Sequence, residues 1–302
     1  MLSKAVESYL QVRRAAGFQL YHDRSILLRF SRYACKRGET HLVSETAIEW
    51  AGQADSLSER DRRLRALVRF ASHAYAEDPK HQIPPQDLYR RYRHRRTPFI
   101  FSSVHISHLL EQAQLLGPLG SLRPHTYITL FSLLSVTGLR VSEALNLRFD
   151  DLTPDGLVVQ RTKFRKSRLV PLHETTVQGL QEYEVHRRKL APSDNYFFVS
   201  LHGHRLCYES VRKVFHSLVE KAGINCGDNR RPPQIHSLRH TFAVRALKDC
   251  RCDRDYVDRH LLALSTYLGH AHVADTYWYL EATPELLGDI AAARDSFVKG
   301  GA

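Results

Sequence analysis

A tyrosine at position 279 follows His270 by nine residues in the segment LGHAHVADTYWYLEATPEL. Upstream lie Arg140, in TGLRVSEALNL, and His236 with Arg239, in HSLRH. These residue types suit transfer of a phosphodiester, which needs a nucleophile, charge stabilisation on the non-bridging oxygens and a proton for the departing oxygen. Arginine fits the second task because its planar fork holds two phosphate oxygens at once and stays charged at any working pH. Arg140 and Arg239 are therefore candidates for a phosphate clamp. Taken alone, each also reads as an ion pair, Arg140 with Glu143 about one helical turn further on. Tyrosine, with an ordinary pKa of about 10, is a weak nucleophile near neutrality unless a base takes its proton or cations stabilise the phenolate. A histidine near the point of attack meets that need, and His236 stands three residues before Arg239, on the same face if HSLRHTFAVRAL is helical. Tyr277 and Tyr279 compete for the nucleophile's role. On a helix they are about 200° apart, so only one can face the arginines.

Those side chains must be positioned by a mainly helical chain. Four amphipathic helices are expected near residues 2–16, 23–37, 44–53 and 57–77, each punctuated by Gly, Asp or Ser, and they make a helix bundle. In the first, Val6 and Leu10 form a stripe that can pack while Arg13 and Arg14 stay wet. The stretch DPKHQIPPQDLYRRYRHRRTP is rich in proline and arginine, a poor core segment and a good extended linker, which puts a domain boundary near residue 97. Helical periodicity returns over 103–115 and 124–137. Gly138 then releases the chain in front of Arg140, and VSEALNL begins another helix. Next come a TPDG turn and two short β-rich runs, LVVQ and RLVPL, with TKFRKS between them: a hairpin carrying Lys163 and Lys166 at its tip or shoulder. From residue 174 helices resume, interrupted by a strand or turn at YFFVS and by the NRRPPQ loop before His236. No internal repeat or low-complexity tract is present.

The 302 residues are enough for two domains, each with its own core. Lys and Arg number 44 against 32 Asp and Glu, a net charge of +12 that favours a polyanionic partner. Residues 1–97 hold 19 basic and 11 acidic side chains, so most of the excess sits at the front. The five cysteines, Cys35, Cys207, Cys226, Cys250 and Cys252, are an odd set in a chain with no long apolar stretch. This points to free thiols in a reducing cytoplasm, with no membrane span. Cys250 and Cys252 lack a second CxxC-type pair, and no metal or other cofactor is expected. A metal-dependent nuclease would need an acidic cluster suited to hard cations, which is not evident.

Together the arginines, histidines and tyrosine, in this order and in these motifs, resemble the tyrosine recombinase family. The resemblance is strong over residues 120–285 and rests, in the N-terminal third, on helical, basic character alone. It implies a helical core-DNA-binding domain over 1–97 with a basic linker at its end. A catalytic domain over 98–302 would follow, mainly α with a small antiparallel β-hairpin or sheet and a C-terminal tail helix. The motif selects Tyr279 as nucleophile, with Thr276 where the family usually has threonine, and leaves Tyr277, Trp278 and Leu280 to core packing. It also implies that His236 assists proton transfer and that His270 contacts the scissile phosphate, with His240 and His272 structural or solvent-facing. Lys163, the first lysine of the hairpin, is the implied general acid in preference to Lys166, and Glu143 supports the site. Arg93, Arg95 and Arg96 in the linker, with Arg165 and Lys166 in the hairpin, are expected DNA contacts. From Arg239 to His270 the spacing is 31 positions, longer by about two helical turns than in many members, so His270 rests on its local LGH motif. ALSTYLGH followed by TYWYLEATPEL also resembles integrases carried by transposons and other mobile elements.

The resemblance thus implies a site-specific recombinase that clamps duplex DNA, forms a 3′-phosphotyrosyl link and exchanges strands through a Holliday junction without ATP or metal. Its partners would be double-stranded DNA bearing a recombination site, further copies of itself in a tetramer, and an accessory recombinase or DNA-binding protein. The 23 residues after Tyr279 include Leu286, Leu287, Ile290 and Phe297, which suit a short amphipathic helix that docks on a neighbouring protomer or on its own domain. Two other activities fit the same residue inventory: a type IB topoisomerase, and a catalytically silent DNA-binding protein of the same fold.

Overall fold

The computed structural model describes residues 2–18, 20–89, 98–160, 167–190, 195–225, 232–248, 254–270 and 272–281. The chain divides into two compact units, Met1–Arg95 and Arg96–Ala302.

The first unit is built from α1 (Leu2–Ala15), α2 (Tyr21–Lys36), α3 (Ser44–Gly52) and α4 (Leu57–Glu77). Helix α1 buries Leu2, Val6, Tyr9 and Leu10, one stripe at helical spacing, and leaves Lys4, Glu7 and Arg14 in solvent. Ser56 caps α4 by accepting the Glu59 N–H at 3.2 Å. In the core Phe30 meets Trp50 edge-on at 5.6 Å, and Tyr9 meets Phe70 in the same way at 5.6 Å. The segment after α4, expected as a linker unsuited to a core, is in its first half fastened to this unit. His81 is buried and its Nδ1 accepts the Leu42 N–H at 3.0 Å, while the Gln82 N–H donates to the Leu42 carbonyl at 2.9 Å. The Tyr89 hydroxyl donates to the Ile48 carbonyl at 3.2 Å. Irregular backbone can pack when neighbouring loops pair its polar groups, as they do here. Arg93, Arg95 and Arg96 lie outside the described residues.

In the second unit α5 (Ser103–Gln114) and α6 (Leu122–Thr137) precede the single turn α7 (Val141–Ala144), so the helix expected over VSEALNL is much shorter. A short 3-10 turn, Phe149–Asp151, leads into β1 (Leu152–Thr153), β2 (Gly156–Val159) and β3 (Arg168–Val170). The strands form an antiparallel sheet in the order β1-β2-β3, which extends the expected hairpin by one strand. Val159 pairs with Arg168 and Leu157 with Val170, and Leu157, Val159 and Val170 are buried. Residues 161–166, between β2 and β3, carry Lys163, Arg165 and Lys166 and lie outside the described residues. Helices α8 (Glu174–Leu190), α9 (Tyr208–Lys221), α10 (His236–Lys248), α11 (Arg254–Leu268) and α12 (Ala274–Glu281) complete the unit. Between α8 and α9, YFFVS forms isolated bridges, Tyr196 with Arg148 and Val199 with Arg205.

Helix α6 packs against α5, α8 and α10, and is apolar on several sides as a central helix must be. It ends at Gly138, whose φ of 60° is left-handed. Glycine is required there for a second reason, since a Cβ would fall 2.5 Å from Phe242 Cδ1 of α10. Helix α11 lies within the 31 positions from Arg239 to His270, and its Leu261, Leu264 and Leu268 join Ala243, Val244, Leu247 and Tyr279 in one cluster. No helix among the described residues is long and apolar enough to cross a membrane.

Candidate active site

The two arginines are aimed by glycine turns. At the end of α6 the Gly138 carbonyl accepts Arg239 Nη1 at 2.7 Å, and the Leu268 carbonyl, at the end of α11, accepts Nη2 at 2.7 Å. Arg239 is 2% exposed, a cation held inside the protein by two backbone carbonyls. Arg140, just before α7, keeps 29% of its side chain exposed. Its Nη1 donates to Glu143 Oε1 at 2.9 Å, its Nη2 to the Gly269 carbonyl at 2.8 Å, and its backbone N–H to Glu143 Oε2 at 2.9 Å. Both guanidinium groups therefore bond to consecutive residues, Leu268 and Gly269, of the turn that leads to His270.

Glu143 is nearly buried and takes a second arginine. Arg168 of β3 grips it with both nitrogens, Nη1 on Oε1 at 3.0 Å and Nη2 on Oε2 at 2.8 Å. Burial alone would raise the Glu143 carboxyl, but hydrogen bonds from Arg168 and from the Arg140 backbone, with their charges, bring it down to about 2. It is a permanent anion at neutral pH.

Tyr279 stands beside Arg239. Its ring is 2% exposed, and its hydroxyl is within hydrogen-bonding reach of the Arg239 side chain. Aromatic rings enclose it: His240 at 5.4 Å, Trp278 at 5.4 Å and His270 at 6.1 Å between centroids. His236 stands against His240 at 4.6 Å. His270 Nδ1 contacts the buried Thr276 hydroxyl at 2.7 Å, which fixes the ring and leaves Nε2 without a hydrogen bond among the described residues.

Burial raises the Tyr279 phenol above its usual value of 10, although Arg239 and Arg140 pull the other way. His236 as a residue is exposed, yet its ring is crowded by the surrounding protein, and this crowding, followed by the charges of Arg239 and Arg140, pushes it down to about 4. His270 is likewise lowered to about 4, by burial first and by Arg239 and Arg140 after it. His240 falls to about 3, through burial and then His236. At pH 7 all three imidazoles are neutral, so one can accept a proton while the arginines supply the positive charge. Arg239 is pushed down to about 10 by burial and then by Arg140, and it stays charged.

Of the residues expected from sequence, Arg140, Glu143, His236, Arg239, His270 and Tyr279 converge on this one place. Lys163 lies outside the described residues. Tyr277 is not core packing: it is 46% exposed, because the buried face of α12 is the one that carries Thr276 and Tyr279. Trp278 does pack against the cluster around Tyr279, and nothing is described of the Leu280 side chain. His272 is exposed, and His240 packs among His236, Trp278 and Tyr279. Sequence reasoning passed over Arg168, and its signal was an arginine at the head of a β-rich run.

A tyrosine held beside two arginines and neutral histidines, on a helical body with one small sheet, defines a protein built for phosphoryl transfer. The phage integrase family matches residues 106–285 of the chain. A protein of Sinorhizobium fredii, "Putative integrase/recombinase y4rB", is 37% identical and the alignment covers 94% of each sequence. The tyrosine recombinase XerD of Rhizobium meliloti is 30% identical over 80% of this chain and 75% of its own. The chain belongs to the phage integrase family and is a tyrosine-type site-specific DNA recombinase. The fold agrees. The XerH recombinase, solved on its difH substrate after cleavage, superposes with a TM-score of 0.66 at 22% identity, over 95% of this chain and 83% of that one. The Tn1549 transposon integrase, solved on transposon-end DNA, gives 0.64 at 18% identity, over 91% and 94%.

Proposed function

We propose that Tyr279 is the nucleophile with which this recombinase opens and reseals its DNA. The Tyr279 oxygen attacks the scissile phosphorus, and its proton passes to His236. The bond from phosphorus to the 5′ oxygen breaks, and that oxygen takes a proton from Lys163. A 3′-phosphotyrosyl link and a free 5′ hydroxyl result, so one phosphodiester has been exchanged for another and no ATP is consumed. Arg140, Arg239 and His270 hold the non-bridging oxygens, where charge gathers as the transition state forms. The observation that carries this reading is the hydroxyl of a buried tyrosine within reach of a guanidinium that is itself anchored by two backbone carbonyls.

The substrate is double-stranded DNA carrying a recombination site of a mobile element, as the transposon name of one structural relative supports. The basic excess of residues 1–97 fits a first domain that binds the duplex through its phosphates, with Arg93, Arg95, Arg96, Arg165 and Lys166 as phosphate contacts. The protein works in the cytoplasm as a homotetramer on two paired sites. Duplexes drawn from the DNA flanking its gene, nicked near each candidate cleavage point, provide the test. Protein and duplex incubated in EDTA are expected to form an adduct stable in denaturing gels and absent with Tyr279→Phe. Binding without an adduct on a cognate site would make the protein a silent DNA-binding member of the fold.

A further inference from the structure

Arg168 belongs to no group assigned above. It opens β3, opposite Val159 at the end of β2, so it stands where the sheet receives the chain from the segment that carries Lys163. Its guanidinium meets both oxygens of Glu143, and Glu143 in turn holds Arg140 by side chain and backbone. A second contact runs to the turn before His270. Gly269 has a φ of 65°, and a Cβ placed on it would lie 3.1 Å from Arg168 Nη1. Arg168 thus backs both the arginine that precedes α7 and the glycine that precedes His270.

We propose that Arg168 is a positioning residue for the transfer step, bracing Arg140 through Glu143 and seating the Gly269 turn beneath His270, so that sheet and phosphate clamp keep one geometry. This rests on the reading that Arg140 and His270 hold the scissile phosphate. The physical reason lies in Glu143. Two oxygens shared among two guanidinium groups and a backbone N–H leave the carboxylate one orientation, and Arg140 inherits it. A carboxylate bonded to Arg140 alone would keep one hydrogen bond on each oxygen and lose the pair that braces it from the sheet. It would also take up a proton more readily, because burial favours its neutral form. Arg140 and Arg168 face the carboxylate directly, and Arg239 acts on it from further off.

The test compares Arg168→Met and Arg168→Lys with the wild type, using single-turnover cleavage of a nicked duplex between pH 5 and 9 and gel-shift binding of the same duplex. Arg168→Met is expected to cleave roughly ten- to hundredfold more slowly, the loss of a pair of charge-assisted hydrogen bonds, with binding within about twofold of the wild type. Its rate should also fall on the acid side at a higher pH than the wild-type rate does, as Glu143 protonates. Arg168→Lys restores the charge, so it should recover the wild-type pH profile while staying slower, because an ammonium cannot grip both oxygens. Equal rates in all three proteins, or an Arg168→Met rate reduced by one factor at every pH, would overturn the proposal. The Glu143 carboxyl resonance, titrated in the DNA-free proteins, gives a reading independent of activity. It should move to higher pH in Arg168→Met, and an unmoved titration also overturns the proposal. A wild type that forms no adduct on any duplex counts against the recombinase chemistry instead, and the carboxyl titration then decides the brace alone. If Arg168→Met does not fold, Arg168→Gln replaces it.

Discussion

The two sides of the site are built on opposite plans. On the cationic side every guanidinium is tied down: Arg239 to two carbonyls, Arg140 to a carbonyl and a carboxylate, and Arg168 to both oxygens of that carboxylate. On the aromatic side Tyr279 is held by rings: His240, Trp278 and His270 surround it, and Arg239 offers its hydroxyl one polar partner. Hydrogen bonds to fixed backbone prescribe direction, whereas ring packing fills space and lets a side chain rotate out at lower cost. The cations form a preset cradle, and on the proposed mechanism the buried Tyr279 turns out of its pocket to meet a phosphorus atom.

Breaking the cradle should have the largest effect. On the proposed mechanism Arg239→Ala removes a donor from the phosphate, and it also takes from the Gly138 and Leu268 carbonyls their guanidinium partner inside the protein. Cleavage is expected to fall about a hundred- to thousandfold, and stability by about 2–5 kcal/mol, read from single-turnover rates and urea denaturation. Arg140→Ala separates the two effects. It should lose a similar factor in rate, while stability drops by only about 1 kcal/mol, because its side chain is partly solvated and Glu143 keeps Arg168. If Arg140→Ala proved as unstable as Arg239→Ala, the two arginines would not differ in the way their burial implies.

The aromatic side responds to pH. His236, His240 and His270 have pKa values lowered to about 4, 3 and 4 in the folded protein, against 6.5 for an ordinary imidazole. As pH falls below 6.5 the unfolded chain takes up protons first, so these groups weaken the fold progressively down to about pH 3, below which they cost nothing more. Urea midpoints should therefore decline from pH 7 to 4, and His240→Gln should flatten the decline. Glu143 acts later, because its lowered carboxyl contributes stability at pH values above the usual carboxylate range and loses it as pH falls toward about 2. The smallest expected effect belongs to Thr276→Val, which frees the His270 ring at a cost of about 1 kcal/mol, or about fivefold in cleavage rate.

Much of the cationic side could be read from the chain because its parts are local. TGLR places a helix-ending glycine two residues before Arg140, and the three-residue step from His236 to Arg239 holds along one helix. The first four helices were equally plain, since Val6, Leu10 and their counterparts repeat at helical spacing. What escaped was long-range. Arg168 meets Glu143 across 25 positions and from a strand, a pairing that no periodicity marks. The segment around His81 gains its burial only because the Leu42 loop offers both an N–H and a carbonyl. Tyr277 looked like packing material, and the face of α12 that is buried was settled by where α10 and α11 lie, a matter of tertiary contact beyond the spacing of aromatic residues.

Mass-spectrometric mapping of the protein–DNA adduct decides whether the oxygen of residue 279 makes the bond to phosphorus, as proposed. Trapped on a nicked duplex, digested and sequenced, the adduct should carry its nucleotide on Tyr279, with Tyr277→Phe reacting normally and Tyr279→Phe not at all. A nucleotide found on Tyr277, or an adduct that survives Tyr279→Phe, would contradict it.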